Sequence, residues 1–230
     1  MEIENFISGL YEKKINMKMM YYDYIFPNDE VTKYVYEVCK IPIENIVKYI
    51  LTMPTPQIEA KDVFQFSNFD DATIRLCRRI AEKDNPGFKH IDVGKLLLND
   101  GKIRKDGAYT KYGENHAKTG VSLGLIQELS KTYFLSCIGN VYPNLEVVVR
   151  NQLLTRLILR NSFVGRLICM AQNGNVNMRQ FLYMLSDSTY KRRMSNIKCI
   201  LKQLCATQEY DFSFLYSRIY FVTKENAALQ

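Results

Sequence analysis

The sequence has only two histidines, no Cys-x-x-Cys pair and no long run of apolar residues. With His90 and His116 as the sole imidazole donors, a structural zinc site is not expected, and the scattered cysteines are predicted to be buried, reduced thiols. No uncharged apolar stretch reaches the roughly 18 residues of a membrane-spanning helix. The start, MEIENFISGLYEKK, carries acidic residues where a secretory signal would be basic. We therefore expect a cytoplasmic protein without a membrane partner.

Motifs of the common enzyme classes are also missing. There is no G-x-S-x-G, no Walker loop and no G-x-G-x-x-G after a strand. Glu59 and Lys61 in IEAK have the Glu-x-Lys spelling of some metal-dependent nucleases, with Asp29 as a candidate partner carboxylate, but no βαβ pattern surrounds them. Cysteine–histidine catalysis stays open, although no spacing marks a pair. We expect a protein that is not an enzyme and uses no cofactor or metal.

Positive charge is concentrated in the middle of the chain. Residues 71–205 contain 22 Lys and Arg against 10 Asp and Glu, whereas residues 1–70 contain 7 against 11. Such a surface indicates a polyanionic partner, because each phosphate contact releases condensed counterions and gains affinity. A solvated basic surface is the alternative.

The first 57 residues are predicted to form a helical segment and a linker. Apolar spacing indicates two helices separated near Pro42, and MPTPQ at 53–57 is a break that no helix can continue through. The cluster MMYYDYIF at 19–26 is rich in residue types that are enriched in interfaces. It is a candidate homodimer interface or, equally, part of a hydrophobic core.

Residues 58–140 have the pattern of a winged-helix module. DDATIRLCRRIAE, capped by Asp70 or Asp71, and HIDVGKLLLND predict two short helices. GKIRKDGAYT predicts a glycine-rich turn before a third helix in KYGENHAKTGVSLGLI. The alternation around Lys131 then predicts a β-hairpin with that lysine at its tip.

Residues 141–230 repeat this order. After a connecting helix at 143–160, NSFVGRLICMAQNG, NVNMRQFLYMLS and DSTYKRRMSNIKCILKQL predict three helices, and EYDFSFLYSRIYFV predicts a strand pair. The predicted fold is mainly α with small β-hairpins (α+β), as tandem winged-helix modules behind an N-terminal helical segment.

The third helix of each module carries the candidate nucleic-acid contacts. Lys and Arg can contact phosphate or guanine, and Asn can pair with adenine. In a helix-turn-helix, the early residues of the last helix enter the major groove. The candidates in the second module are Lys191, Arg192, Arg193, Ser195, Asn196 and Lys198. Those in the first module are Lys102, Arg104, Lys105, Lys111, Asn115, His116, Lys118 and Lys131. A solvated helix face is the competing interpretation of both sets, and for His116 a polar surface residue is the favoured interpretation.

From about Asp70 to Val222, the order of elements and the basic helix DSTYKRRMSNIKCILKQL resemble winged helix-turn-helix DNA-binding proteins. KYGENHAKTGVSLGLIQ is similar to winged-helix segments attached to bacterial restriction systems. The resemblance implies a double-stranded DNA-binding protein in transcription regulation or restriction, with any chemistry on another chain or domain. Winged helices also serve as protein-interaction scaffolds and in plasmid replication initiators, and both remain alternatives.

Overall fold

The computed structural model describes residues 28–54 and 57–221, and in them the chain is mainly helical with two small sheets. The elements in chain order are α1 (Asn28–Cys39), α2 (Ile43–Thr52), α3 (Ile74–Ala81), α4 (His90–Leu97), α5 (Asp106–Leu123), β1 (Ile126–Leu129), β2 (Thr132–Leu135), α6 (Cys137–Val141), α7 (Val147–Leu159), α8 (Ser162–Asn173), β3 (Val176–Asn177), α9 (Met178–Phe181), α10 (Asp187–Cys205), α11 (Ser213–Arg218) and β4 (Ile219–Tyr220). This confirms the predicted mainly helical α+β class. Among these helices, none is both long and apolar enough to cross a lipid bilayer.

The described residues divide into two compact units, each discontinuous in sequence. Unit 1 contains residues 28–41 and 65–157, and unit 2 contains residues 42–54, 57–64 and 158–221. The two predicted helices on either side of Pro42 are confirmed, but α1 belongs to unit 1 and α2 to unit 2. The units therefore do not follow the predicted divisions 1–57, 58–140 and 141–230. Pro54 follows the end of α2 without separating domains, because the apolar side of α2 packs on α8 within unit 2.

In unit 1, helices α3, α4 and α5 lead into an antiparallel hairpin. The predicted aspartate cap of α3 is wrong: Asp70–Ala72 forms a 3-10 turn, and Thr73 precedes α3 without a side-chain cap. Helix α5 begins at Asp106, inside the stretch predicted as a turn. It ends at Gly124, whose φ of 75° is the left-handed conformation that glycine adopts without strain.

The predicted hairpin of unit 1 is confirmed. Strands β1 and β2 pair antiparallel from Ile126 with Leu135 to Leu129 with Thr132. Ser130 and Lys131 form the two-residue turn, both with positive φ, as the twist of a tight hairpin requires. Phe88, just before α4, bridges to Tyr133 on the other side of β2.

In unit 2, helices α8 and α10 form where they were predicted, the helix predicted over residues 175–186 is reduced to α9, and the end of the unit differs. The Asn161 side chain caps α8 by accepting from the N–H groups of Phe163 and Val164, and Gly174 follows the helix. Helix α10 buries Tyr190, Ile197, Leu201 and Leu204 of the predicted seam, while Met194 is half-buried.

The strand pair predicted after α10 is wrong. Residues Ser213–Arg218 are helical, and only Ile219–Tyr220 is extended, pairing parallel with Val176–Asn177. A helical turn is favoured because it buries Phe212 and Leu215 on one side. The Arg218 guanidinium also donates to the carbonyls of Ala171 and Gln172 at the end of α8.

The six cysteines form no disulfide, but the prediction that they are all buried is wrong. Cys77 is fully buried and burial raises the pKa of its thiol, whereas the other five are partly exposed.

Candidate nucleic-acid interface

The exposed side of α5 carries two lysines and one glutamate, so part of its positive charge is compensated. Lys111, Glu114, Asn115 and Lys118 follow the i, i+3, i+4, i+7 spacing of one helix face. The Glu114 carboxylate lies 2.7 Å from the Lys118 ammonium and 2.9 Å from that of Lys111. These hydrogen bonds, that of Lys118 first, lower the pKa of Glu114 to about 2. The carboxylate thus offsets part of the charge that the two lysines would present to phosphate.

The inner side of α5 contains His116, and the prediction that this residue lies on the surface is wrong. His116 is fully buried and stacks on Tyr112, with ring centroids 4.0 Å apart. Its Nδ1 donates to the Tyr112 carbonyl at 2.7 Å, so Nε2 accepts from the backbone N–H groups of Ser67 and Asn68. A histidine used in this way fixes the chain at 67–68 and does not reach a base or phosphate.

The turn between α4 and α5 holds three of the predicted cations. Arg104 pairs with Asp100 through two N–H···O contacts of 2.6 Å, which lower the pKa of that carboxyl. Lys102 and Lys105 are exposed. Between them lies Ile103, whose side chain is fully exposed.

The hairpin carries Lys131 at its tip, as predicted. Lys131 is exposed, with a φ of 62°. Lys89, at the start of α4, donates to the Thr132 hydroxyl at 2.6 Å. His90 Nε2 lies 2.5 Å from the buried Tyr133 hydroxyl, so two contacts join the start of α4 to the hairpin.

In unit 2, Arg179 fixes the turn before α10. Its guanidinium donates to the Leu185 carbonyl at 2.9 Å and to the Asp187 carboxylate at 2.7 Å, and it lies 5.2 Å from the centre of the Tyr190 ring. The Ser186 side chain caps α10. Sequence reasoning missed Arg179. Its position eight residues before an aspartate in the first turn of a helix is the only sequence signal, and that signal is weak.

A basic stripe runs along the exposed side of α10. It consists of Lys191, Arg192, Ser195, Lys198 and Lys202. Within the described chain, none of its four cations forms an ion pair: Arg192 contacts the Thr189 hydroxyl at 3.4 Å, and Lys198 lies 5.0 Å from the Phe221 ring centre. Charge on this side of unit 2 is therefore uncompensated, in contrast to the exposed side of α5.

Two predicted contacts on α10 are turned inward. The Arg193 guanidinium is half-buried and donates to the Val63 carbonyl, and burial lowers its pKa. Asn196 is only 4% exposed. The predictions that these residues lie on the outer face are wrong, because both belong to the side of α10 that packs within unit 2.

Arg156 on α7 is also internal. Arg160 follows it one turn later in the sequence, but Arg156 is only 2% exposed. It donates to the carbonyls of Cys39 at 2.7 Å and Ile41 at 2.6 Å. Its charge is used to satisfy the carboxyl end of α1.

The Glu-x-Lys motif that resembles those of nucleases lies on the surface of unit 2. Glu59 and Lys61 pair with each other at 2.8 Å, and Glu59 precedes a 3-10 turn rather than lying on a strand. In the parts of the chain covered by the structure, no group of three His, Cys, Asp or Glu side chains could hold a metal ion. The aromatic cluster at 19–26, the candidate dimer interface, lies outside the described residues.

Comparison with protein-family models, curated proteins and solved structures found no match to this chain.

Proposed function

We propose that the protein binds double-stranded DNA, selecting its site by sequence or by structure, in a regulatory or restriction-associated role in the cytoplasm. The observation that carries the proposal is the basic stripe of α10, whose cations have no acidic partner in the described chain. Cations held in this way are available to phosphate without first breaking an ion pair.

The dimensions of the stripe fit a phosphate backbone. From Lys191 to Lys202 the helix rises about 16 Å at 1.5 Å per residue, which is the length over which one DNA strand presents several phosphates. Helix α10 follows α9 through the turn fixed by Arg179, so its amino-terminal half is held by the body of unit 2. This is how a helix-turn-helix presents its last helix to DNA.

Unit 1 supports the finer fold proposal, a winged helix. Helices α4 and α5 joined by a turn, the β1–β2 hairpin and the bridge from Phe88 to Tyr133 occur in the order of that fold. Lys131 then occupies the tip of the wing. In unit 2 we propose a helix-turn-helix without a hairpin in the described residues, because α11 replaces the expected strand pair.

The two units are not equally suited to phosphate. The Lys111 and Lys118 ammonium groups share one carboxylate, so α5 supplies less net charge than α10. We therefore assign most of the phosphate contacts to α10 and retain Lys102, Lys105, Asn115 and Lys131 as the accessible candidates of unit 1.

The test is fluorescence anisotropy of a labelled random duplex, titrated with protein at several salt concentrations. The double variant Lys191→Ala/Arg192→Ala should bind more weakly and reduce the slope of log K against log salt by about 2, since each lost phosphate contact removes about 0.9. The matched control is Lys48→Ala/Lys61→Ala, which removes two exposed lysines of the same unit that are paired with Glu44 and Glu59.

An equal loss of DNA affinity in both double variants would mean that net charge alone causes the loss, and this would contradict a site on α10. If the wild-type protein does not bind duplex at low salt, the DNA proposal is wrong. A protein-interaction scaffold, which predicts salt-insensitive binding to a protein, would then replace it.

A further inference from the structure

Ile103 is the most exposed large apolar side chain in the described chain. It is 100% exposed, and the next, Tyr183, is 76% exposed. Single exposed apolar residues are common on proteins. The surroundings of Ile103 are not, because the loop that carries it is fixed on both sides.

Hydrogen bonds hold the residues that flank Ile103. The Tyr109 hydroxyl donates to the Lys102 carbonyl at 3.1 Å and accepts from the Arg104 N–H at 3.3 Å. The Arg104 guanidinium is held by Asp100. These contacts hold the backbone before and after Ile103, and its side chain is presented outward.

The charges beside Ile103 indicate what it meets. Lys102 and Lys105 are exposed and have no acidic partner within the described residues, and α5 begins immediately after them. An apolar tip between two free lysines fits a surface in which anionic groups border an apolar layer. Duplex DNA, with phosphates beside stacked bases, is one such surface, and an anionic lipid bilayer is another.

Because Ile103 is a single apolar side chain, duplex DNA is the better candidate partner than a lipid bilayer. Stable attachment to a bilayer takes two anchoring signals of larger apolar area than a single side chain provides. A single apolar side chain is sufficient in DNA, where Leu, Ile, Met or Phe enters between base pairs and unstacks one step. Steps that unstack easily, such as TA, are the preferred place for it.

We propose that Ile103 is an apolar wedge that enters the base stack of duplex DNA at a flexible step, while Lys102 and Lys105 contact the phosphates on either side. The proposal rests on duplex DNA being the partner. It adds a deformation of the DNA, and thus a preference for flexible steps, that the basic stripe of α10 does not provide.

The experiment uses the full chain and a duplex in which 2-aminopurine replaces adenine at a TA step, because this base fluoresces more strongly when it is unstacked. Anisotropy of the same duplex gives the affinity. The variants are Ile103→Ser and the conservative Ile103→Leu. Val148→Ser is the matched control, since Val148 is a 66% exposed apolar side chain of unit 1 that lies beside Glu146 rather than lysines.

Wild type, Ile103→Leu and Val148→Ser should bind with similar affinity and raise the fluorescence. Ile103→Ser should bind about tenfold more weakly and abolish the rise, with an unchanged salt slope because no charge is lost. Binding by wild type without a rise, or an Ile103→Ser variant that retains it, would overturn the wedge alone. Absence of any duplex binding would overturn both proposals. Ile103-dependent sedimentation with phosphatidylserine vesicles would assign the loop to a lipid surface instead.

Discussion

Gly94 and Gly113 meet where α4 crosses α5, and a Cβ atom on Gly113 would lie 2.6 Å from the backbone nitrogen of Gly94. The same Cβ would overlap the His90 carbonyl, and one on Gly94 would overlap the Tyr109 carbonyl. The two helices therefore pack backbone to backbone. Glycine is costly within a helix, by roughly 1 kcal/mol, and this crossing is the physical reason for both residues.

Gly113→Ala should lower the free energy of unfolding by at least about 2 kcal/mol, because neither backbone can move away without separating the helices. Gly107→Ala is the matched control in the same helix: a Cβ there meets nothing within 4 Å, so stability should be unchanged or slightly raised. Urea denaturation followed by circular dichroism measures both. Equal stability of the two variants would contradict the close crossing.

Arg193→Ala should lower the free energy of unfolding without changing the salt slope of DNA binding. The Val63 carbonyl would lose its buried donor, at a cost of about 1–3 kcal/mol. Arg192→Ala, one residue earlier on the exposed side, should leave stability unchanged and reduce the salt slope of DNA binding by about 1. The reverse pattern, with Arg193 setting the slope, would mean that its side chain turns outward.

Stability should fall as the solution is made acidic, partly through His116. Burial lowers the pKa of His116 below the ordinary 6.5, so the folded state favours the neutral imidazole. As the pH falls through 6.5, His116 becomes protonated more readily in the unfolded chain than in the folded one. The free energy of unfolding therefore decreases. Urea midpoints between pH 8 and pH 5 measure the trend, which should be weaker in His116→Gln. His90, whose pKa burial also lowers, adds a change of the same sign in both proteins.

Lys131→Gly should make the protein more stable and worse at binding DNA. Lysine at a φ of 62° carries a conformational cost of about 1 kcal/mol that glycine does not. Ser130→Gly relieves the same kind of strain, at a φ of 49°, without removing charge. If Lys131 contacts phosphate, only Lys131→Gly should weaken binding and reduce the salt slope. Identical DNA binding by both variants would remove the hairpin tip from the interface.

Segments that have a clear apolar periodicity and a recognisable cap or terminating residue could be predicted from the sequence. Helix α8 has Asn161 before it and Gly174 after it, and α10 has a seam at Tyr190, Ile197 and Leu201 that the structure buries. The β1–β2 hairpin followed from alternation over a short turn. In each case local propensity and burial favour the same element, so no distant contact is needed to decide between alternatives.

The errors occurred where a distant contact decides. Arg193 and Asn196 lie outside the apolar seam of α10 and were therefore predicted to be exposed. The Arg193 side chain is instead turned inward, where it donates to the Val63 carbonyl. His116 is buried because residues 67–68 return to α5, a contact across almost 50 positions that a periodicity cannot reveal. The segment 213–218 was predicted as part of a strand pair and forms a helix, since the end of α8 offers carbonyls to Arg218.

The discontinuity of the two units has a consequence during synthesis. Unit 1 ends at residue 157, so it can form while the ribosome is still translating residues 158–221 of unit 2. Until residues 162–173 have been translated, α2 has left the ribosome but α8, on which it packs, has not yet been made. Its apolar side, with Ile43, Ile46, Val47 and Ile50, is then uncovered on the nascent chain. Slow translation between α2 and α8 therefore prolongs the exposure of this apolar side, and transiently exposed apolar surface is prone to aggregation.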